Sequence, residues 1–164
     1  MRLDVHAATE EMRHSLATLK DVGGITGSFI FTRTGHVVAR ELPAMFDDMA
    51  LSEASGRLTR LHETFAAAGD QLEIAVLRFR DHKLYVKTLP AGSLCIISDG
   101  SVNMPALRMA ASLVGRRILT SLETVAASPQ VPLVSDAAVP SAPVARTPTL
   151  APPGMRRFRG RTVE

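Results

Sequence analysis

A chain of 164 residues has room for one ordinary domain and a tail. Its hydrophobic fraction of 46% suits a packed core, and its single cysteine, Cys95, excludes an internal disulfide or a cysteine metal cluster. The net charge of +3 sits at one end: residues 1–127 balance 14 basic against 14 acidic side chains, whereas 128–164 hold five arginines against Asp136 and Glu164. A neutral body argues against nucleic acid on the folded part, whose electrostatic footprint would lie on the domain itself. The opening MRLDVHAATEE has no apolar signal-peptide core, and no apolar run is long enough to make a transmembrane segment. The expected compartment is therefore the cytoplasm.

In chain order, Val5, Met12, Leu16 and Leu19 fall on one face of a helix expected from about Ala7 to Lys20, ended by Gly23-Gly24. A hairpin follows, Gly27–Thr32 and His36–Arg40 around the turn Arg33-Thr34-Gly35. A second helix is expected over Phe46–Ala68, capped by Asp47 or Asp48, with Gly69 closing it. Ala54, Leu58, Leu61 and Phe65 are its expected buried stripe, with Gly56 opposite. Three strands come next as a meander, Leu72–Phe79, Leu84–Leu89 and Ser93–Ser98. The closing helix, Met104–Val125, has Asn103 as N-cap, Pro105 in its first turn and a stripe of Met104, Leu107, Ala111, Val114, Ile118 and Leu122. Several strands are apolar on both faces. The predicted fold class is thus α/β (α+β): a five-stranded antiparallel sheet with helices on both faces, in the order α-β-β-α-β-β-β-α.

Beyond about residue 127 the composition changes. Residues 128–153 are Pro, Ala, Val and Ser with few charges, which reads as a disordered linker, and 154–164 form a basic tip. In that tip Arg156, Arg157, Arg159 and Arg161 surround Phe158, a pattern suited to docking on an acidic protein partner.

Catalytic chemistry needs convergent polar groups, and the sequence offers none in a recognisable spacing. The five histidines (6, 14, 36, 62, 82) are scattered, with no metal-ligand pair at helical spacing. Cys95 lies in an apolar strand and reads as structural. Gly23-Gly24 and Gly27 lack the Lys-Ser/Thr of a phosphate loop and follow a helix where that loop follows a strand. Asp47-Asp48 read as caps and helix-dipole partners. No catalytic residue, metal or cofactor is expected. The second helix is more informative. Ser52, Gly56, Thr59 and Glu63 share its outward side, and a small-residue strip Ser52-x-x-x-Gly56 suits close approach by another backbone.

These features together resemble the Roadblock / dynein light chain family over about residues 8–125. The run Leu19-Lys20-Asp21-Val22-Gly23-Gly24-Ile25-Thr26-Gly27-Ser28-Phe29-Ile30 is similar to the family's helix-to-strand junction. Thr32-Arg33-Thr34-Gly35-His36-Val37-Val38-Ala39 stands where the family has its D-x-x-G-x-V-V-A hairpin, with Thr32 in place of the acidic residue. Asn103-Met104-Pro105-Ala106-Leu107-Arg108 opens the last helix in place of N-x-G-x-x-R. The resemblance implies a profilin/longin-like fold and a non-enzymatic homodimer that regulates a small Ras-like GTPase. It implies a dimer interface along Leu72, Ile74, Val76 and Arg78, with the second helices side by side. The partner-binding residues then fall on Ser52, Gly56, Arg57, Thr59, Arg60 and Glu63, where Arg57 and Arg60 keep an arginine finger open. The alternative function is a scaffold or adaptor of a signalling or motility complex without GTPase contact. A ligand-sensing domain of similar architecture would need a polar-lined pocket, whereas these strands read as packed apolar core.

Overall fold

In the computed structural model, residues 2–128 can be described. The expectations placed on the tail from residue 129 onward, including the Arg156–Arg161 tip, lie outside the described residues.

Helix α1 (Arg2–Ala17) runs into a short 3-10 turn, Thr18–Asp21. Strands β1 (Ile25–Thr32) and β2 (Val37–Glu41) form the first hairpin, followed by α2 (Asp48–Ala67). Strands β3 (Ile74–Arg78), β4 (His82–Leu89) and β5 (Gly92–Asp99) lead to α3 (Met104–Ala127). All pairings are antiparallel, in the order β2-β1-β5-β4-β3, which leaves β2 and β3 at the edges.

Each strand serves two cores because alternate side chains point to opposite faces. On one face Ile30, Tyr85, Leu94 and Ile96 pack with Met12 and Leu16 of α1 and Leu107, Ile118 and Leu122 of α3. On the other, Phe29, Phe31, Val86 and Cys95 pack with Leu51 and Leu58 of α2. Cys95 is fully buried, and burial pushes its thiol well above its ordinary pKa, as an inert packing residue requires.

The helix ends have identifiable causes. The Asp47 side chain accepts the Ala50 amide at 2.7 Å, and Asn103 accepts that of Ala106 at 3.2 Å, so both are N-caps. At the C-terminus of α2, Gly69 takes φ +85°, with its amide donating to Ala66 O and that of Asp70 to Phe65 O. That pair of bonds is the Schellman closure, and it needs a residue free of Cβ penalty at Gly69.

The buried face of α2 differs from the expected one. Leu51, Ser55 and Leu58 are buried; Ala54 and Leu61 are half-buried, and Phe65 is 39% exposed. The cause is Ser55, whose hydroxyl donates to Gly35 O at 2.6 Å and so turns this polar side inward onto the β1–β2 turn. Leu72 is also displaced from its expected place: it precedes β3 rather than belonging to it.

Candidate functional site: an open strand edge beside the second helix

The two edges of the sheet are built differently. Strand β2 is short, and its register with β1 slips at Val38, where Ile30 faces Ala39 but Phe31 faces Val37. Such a bulge spoils the edge as a template for further pairing. Its end is also tied down by ion pairs of Arg40 with Asp48 of α2 and of Glu41 with Lys20.

Strand β3 has none of this. It pairs with β4 in unbroken register from Ile74↔Lys87 to Arg78↔Lys83. At its two ends Glu73 O accepts the Thr88 amide, and the Phe79 amide donates to His82 O, each at 2.8 Å. Antiparallel bonding alternates along a strand, so residues 73, 75, 77 and 79 bond inward to β4. Ile74, Val76 and Arg78 therefore turn their backbone N–H and C=O groups outward. Ile74, Val76, Leu77 and Phe79 are all exposed, the first at 41% and the last at 61%. An apolar edge with a free donor–acceptor row is what strand addition requires. Three of the expected interface residues, Ile74, Val76 and Arg78, stand on that edge. Leu72 does not; its carbonyl accepts the Thr88 hydroxyl.

On α2, half-buried Ala54 and Leu61 and exposed Phe65 make a partly uncovered apolar flank. Of the residues expected to bind a partner, Ser52, Arg57, Arg60 and Glu63 are exposed. Gly56 and Thr59 are half-buried against the chain's own β1–β2 turn, where a Cβ on Gly35 would lie 3.7 Å from Gly56 Cα. The small-residue strip thus already admits one backbone, that of the hairpin. A Cβ on Gly56 itself would meet nothing within 4 Å, so the outward direction is open. Arg57 pairs with Glu53 on the same helix, and the Thr59 hydroxyl donates to Ser55 O.

Met45 and Met49 were not expected here. They are 81% and 80% exposed, and Met49 lines up with Gly56 and Arg60 at helical spacing on the outward face. Adaptable thioethers suit a binding surface. Their signal in the sequence was two methionines flanking the Asp47-Asp48 cap, outside any buried stripe.

The C-terminal half of α2 stands over an open cleft of about 690 Å³. His62 reaches its floor with Nε2 3.1 Å from the Thr88 hydroxyl. Because that hydroxyl donates to Leu72 O, the imidazole must supply the proton at Nε2. Desolvation lowers the His62 pKa, favouring the neutral ring. Thr88 and Ser93 make this part of the floor polar, where the sequence reads as packed apolar core.

No family model matches the chain, and no curated protein does. Solved structures do match. A Roadblock/LC7 domain from Streptomyces avermitilis superposes with a TM-score of 0.59 at 13% identity, covering 68% of this chain and 97% of that one. The chain has the Roadblock/LC7 fold. Myxococcus xanthus MglB aligns with a TM-score of 0.63 at 8% identity, over 75% of this chain and 94% of its own. The gliding protein MglB of Thermus thermophilus aligns with a TM-score of 0.61 at 15% identity, over 72% and 93%. The Roadblock/LC7 alignment thus takes in nearly the whole of each known structure and leaves about a quarter to a third of this chain outside it. No helix among the described residues is long and apolar enough to cross a membrane.

Proposed function

We propose that the chain is a non-catalytic, dimeric regulator or co-regulator of a small Ras-like GTPase, with α2 as the binding element. One observation carries the reading: β3 is an open, apolar edge while the other edge is guarded, and α2 keeps a partly uncovered apolar flank. Pairing of β3 with its counterpart in a second copy sets the two α2 helices alongside one another. Their outward faces then form one surface, with Met49, Gly56 and Arg60 near its middle. The GTPase partner class comes from the family resemblance, and a gliding protein stands among the similar folds. Arg57 and Arg60 are exposed and provide the charged contacts of that surface.

The test is retention of a small GTPase by the full-length protein from extracts loaded with a non-hydrolysable GTP analogue or with GDP. Nucleotide-dependent retention, lost in Arg60→Glu, is the expected result. Retention of other proteins without any GTPase, in either nucleotide state, transfers the chain to the scaffold reading. The basic tip, Arg156, Arg157, Phe158, Arg159 and Arg161, is proposed to dock on an acidic partner surface. Phe158→Ala should remove most of that interaction. Binding that survives this change but collapses with added salt would reassign the tip to bulk charge.

A further inference from the structure

The cleft under the C-terminal half of α2 has a cause in two neighbouring cross-strand rows. One row, Phe29, Cys95, Val86 and Ala75, is apolar and is filled by Leu51 and Leu58. The next row runs Phe31, Ser93, Thr88 and Glu73, with Glu73 joined to Thr88 through its backbone. Here the central residues are small and polar, and the helix leaves the space above them open. Ser93 is only 1% exposed, lines the cleft, and its hydroxyl has no hydrogen-bond partner among the described residues. Tyr85 holds the only buried polar side-chain atom without a partner among the described residues, so the Ser93 hydroxyl opens onto the cleft and can bond what enters it.

The two ends of the cleft carry opposite charge. Arg33 stands at the β1 end, just past Phe31, and its amide donates to Ala91 O at 3.3 Å. Asp70 and Glu73 stand at the β3 end, with Glu63 above them on α2. All four side chains are exposed, and none forms an ion pair with a described residue. Three inter-strand spacings of about 4.8 Å separate β1 from β3, so the charged ends lie roughly 14 Å apart. An extended peptide rises about 3.3 Å per residue, so about four residues bridge that distance.

We propose that this cleft binds a short extended peptide segment of a partner protein, with a basic side chain over Asp70 and Glu73 and an acidic one about four residues away at Arg33. The peptide backbone passes over Ser93 and Thr88, where a carbonyl can accept from the Ser93 hydroxyl. The site borders the proposed partner face of α2, sharing Thr59 and Glu63 with it, but does not rest on the GTPase reading.

The full-length protein titrated with acetyl-Arg-Ala-Ala-Ala-Asp-amide, followed by amide resonances, tests it. The expected result is saturable binding that moves the Gly92, Ser93 and Thr88 amides. The dipeptide acetyl-Arg-Asp-amide, too short to span, should bind about tenfold more weakly. Arg33→Glu should reverse the preference, so that acetyl-Arg-Ala-Ala-Ala-Arg-amide becomes the better ligand. Arg33 is exposed in a turn, so this variant retains the fold, and its melting temperature checks that. Absence of resonance shifts up to millimolar peptide overturns the proposal. Equal affinity of the two five-residue peptides for wild type and Arg33→Glu does so as well, because binding is then not set by the two charged ends.

Discussion

Tyr85 is a core residue with a defect. It is 1% exposed, and its hydroxyl has no hydrogen-bond partner among the described residues. A buried hydroxyl without a partner bears its full desolvation cost, whereas an apolar replacement of the same shape bears none. Tyr85→Phe should therefore hold or raise stability, by roughly 1 kcal/mol, measured as the midpoint of denaturant unfolding. A clear loss would mean that the hydroxyl bonds an ordered water that the phenyl ring cannot replace. Gly56 offers the reverse separation of stability from binding. A side chain there enters open space, and leucine exceeds glycine as a helix former by somewhat under about 1 kcal/mol. Gly56→Leu should leave the melting temperature unchanged or raised and still weaken GTPase retention by blocking the outward face of α2. A large fall in melting temperature would place Gly56 inside the packing and remove it from the binding surface.

At the scale of elements, His62 links α2 to β4 and, through Thr88, to the segment that leads into β3. Its folded pKa is lowered, so the unfolded chain binds the proton more readily. The stability this neutral ring contributes is complete above the ordinary histidine value near 6.5 and is lost as pH falls from there toward the lower folded value. His62→Gln should flatten the stability profile in that window, and an unchanged slope would assign the acid loss to other groups. For β3, Ile74→Pro removes an N–H that points away from β4, so the ladder within the chain survives while pairing with a neighbour loses a donor. A folded monomer is the expected product, seen by circular dichroism and sedimentation together. These elements were legible to different degrees. Glycine and proline punctuation placed most helix and strand ends to within a few residues, because turn chemistry is local, but the start of α1 at Arg2, which no such residue marks, lies five residues before the expected Ala7. The buried side of α2 was not legible, since Ser55 looks like a surface residue until the Gly35 carbonyl is brought to it. The open cleft was missed for a similar reason. Ser93 and Thr88 fit the alternation of their own strands, and only the register places them side by side. The bulge at Val38 has no composition signal at all.

For the whole molecule, β3 leaves apolar side chains exposed on both faces of the sheet, Ile74 and Val76 on the side of α1 and α3, Leu77 and Phe79 on the side of α2, which itself exposes Phe65. Covering such side chains contributes roughly 1.5–3 kcal/mol each when burial is complete, which favours association over solvation of the edge. Sedimentation of the wild-type protein at micromolar concentration should give twice the monomer mass, and a single monomer species at high micromolar concentration would sink the dimer. The difference between the two edges also sets how far assembly can go. A sheet with two receptive edges grows without limit, as fibrils do, because every addition exposes a fresh template. In the proposed dimer one margin takes the neighbour, and the other is blocked by its bulge and ion pairs. Two copies joined at β3 carry only the kinked, ion-paired β2 at both outer margins. If β3 pairs as proposed, the bulge at Val38, small as it is, acts as the stop signal that ends a sticky sheet at two copies.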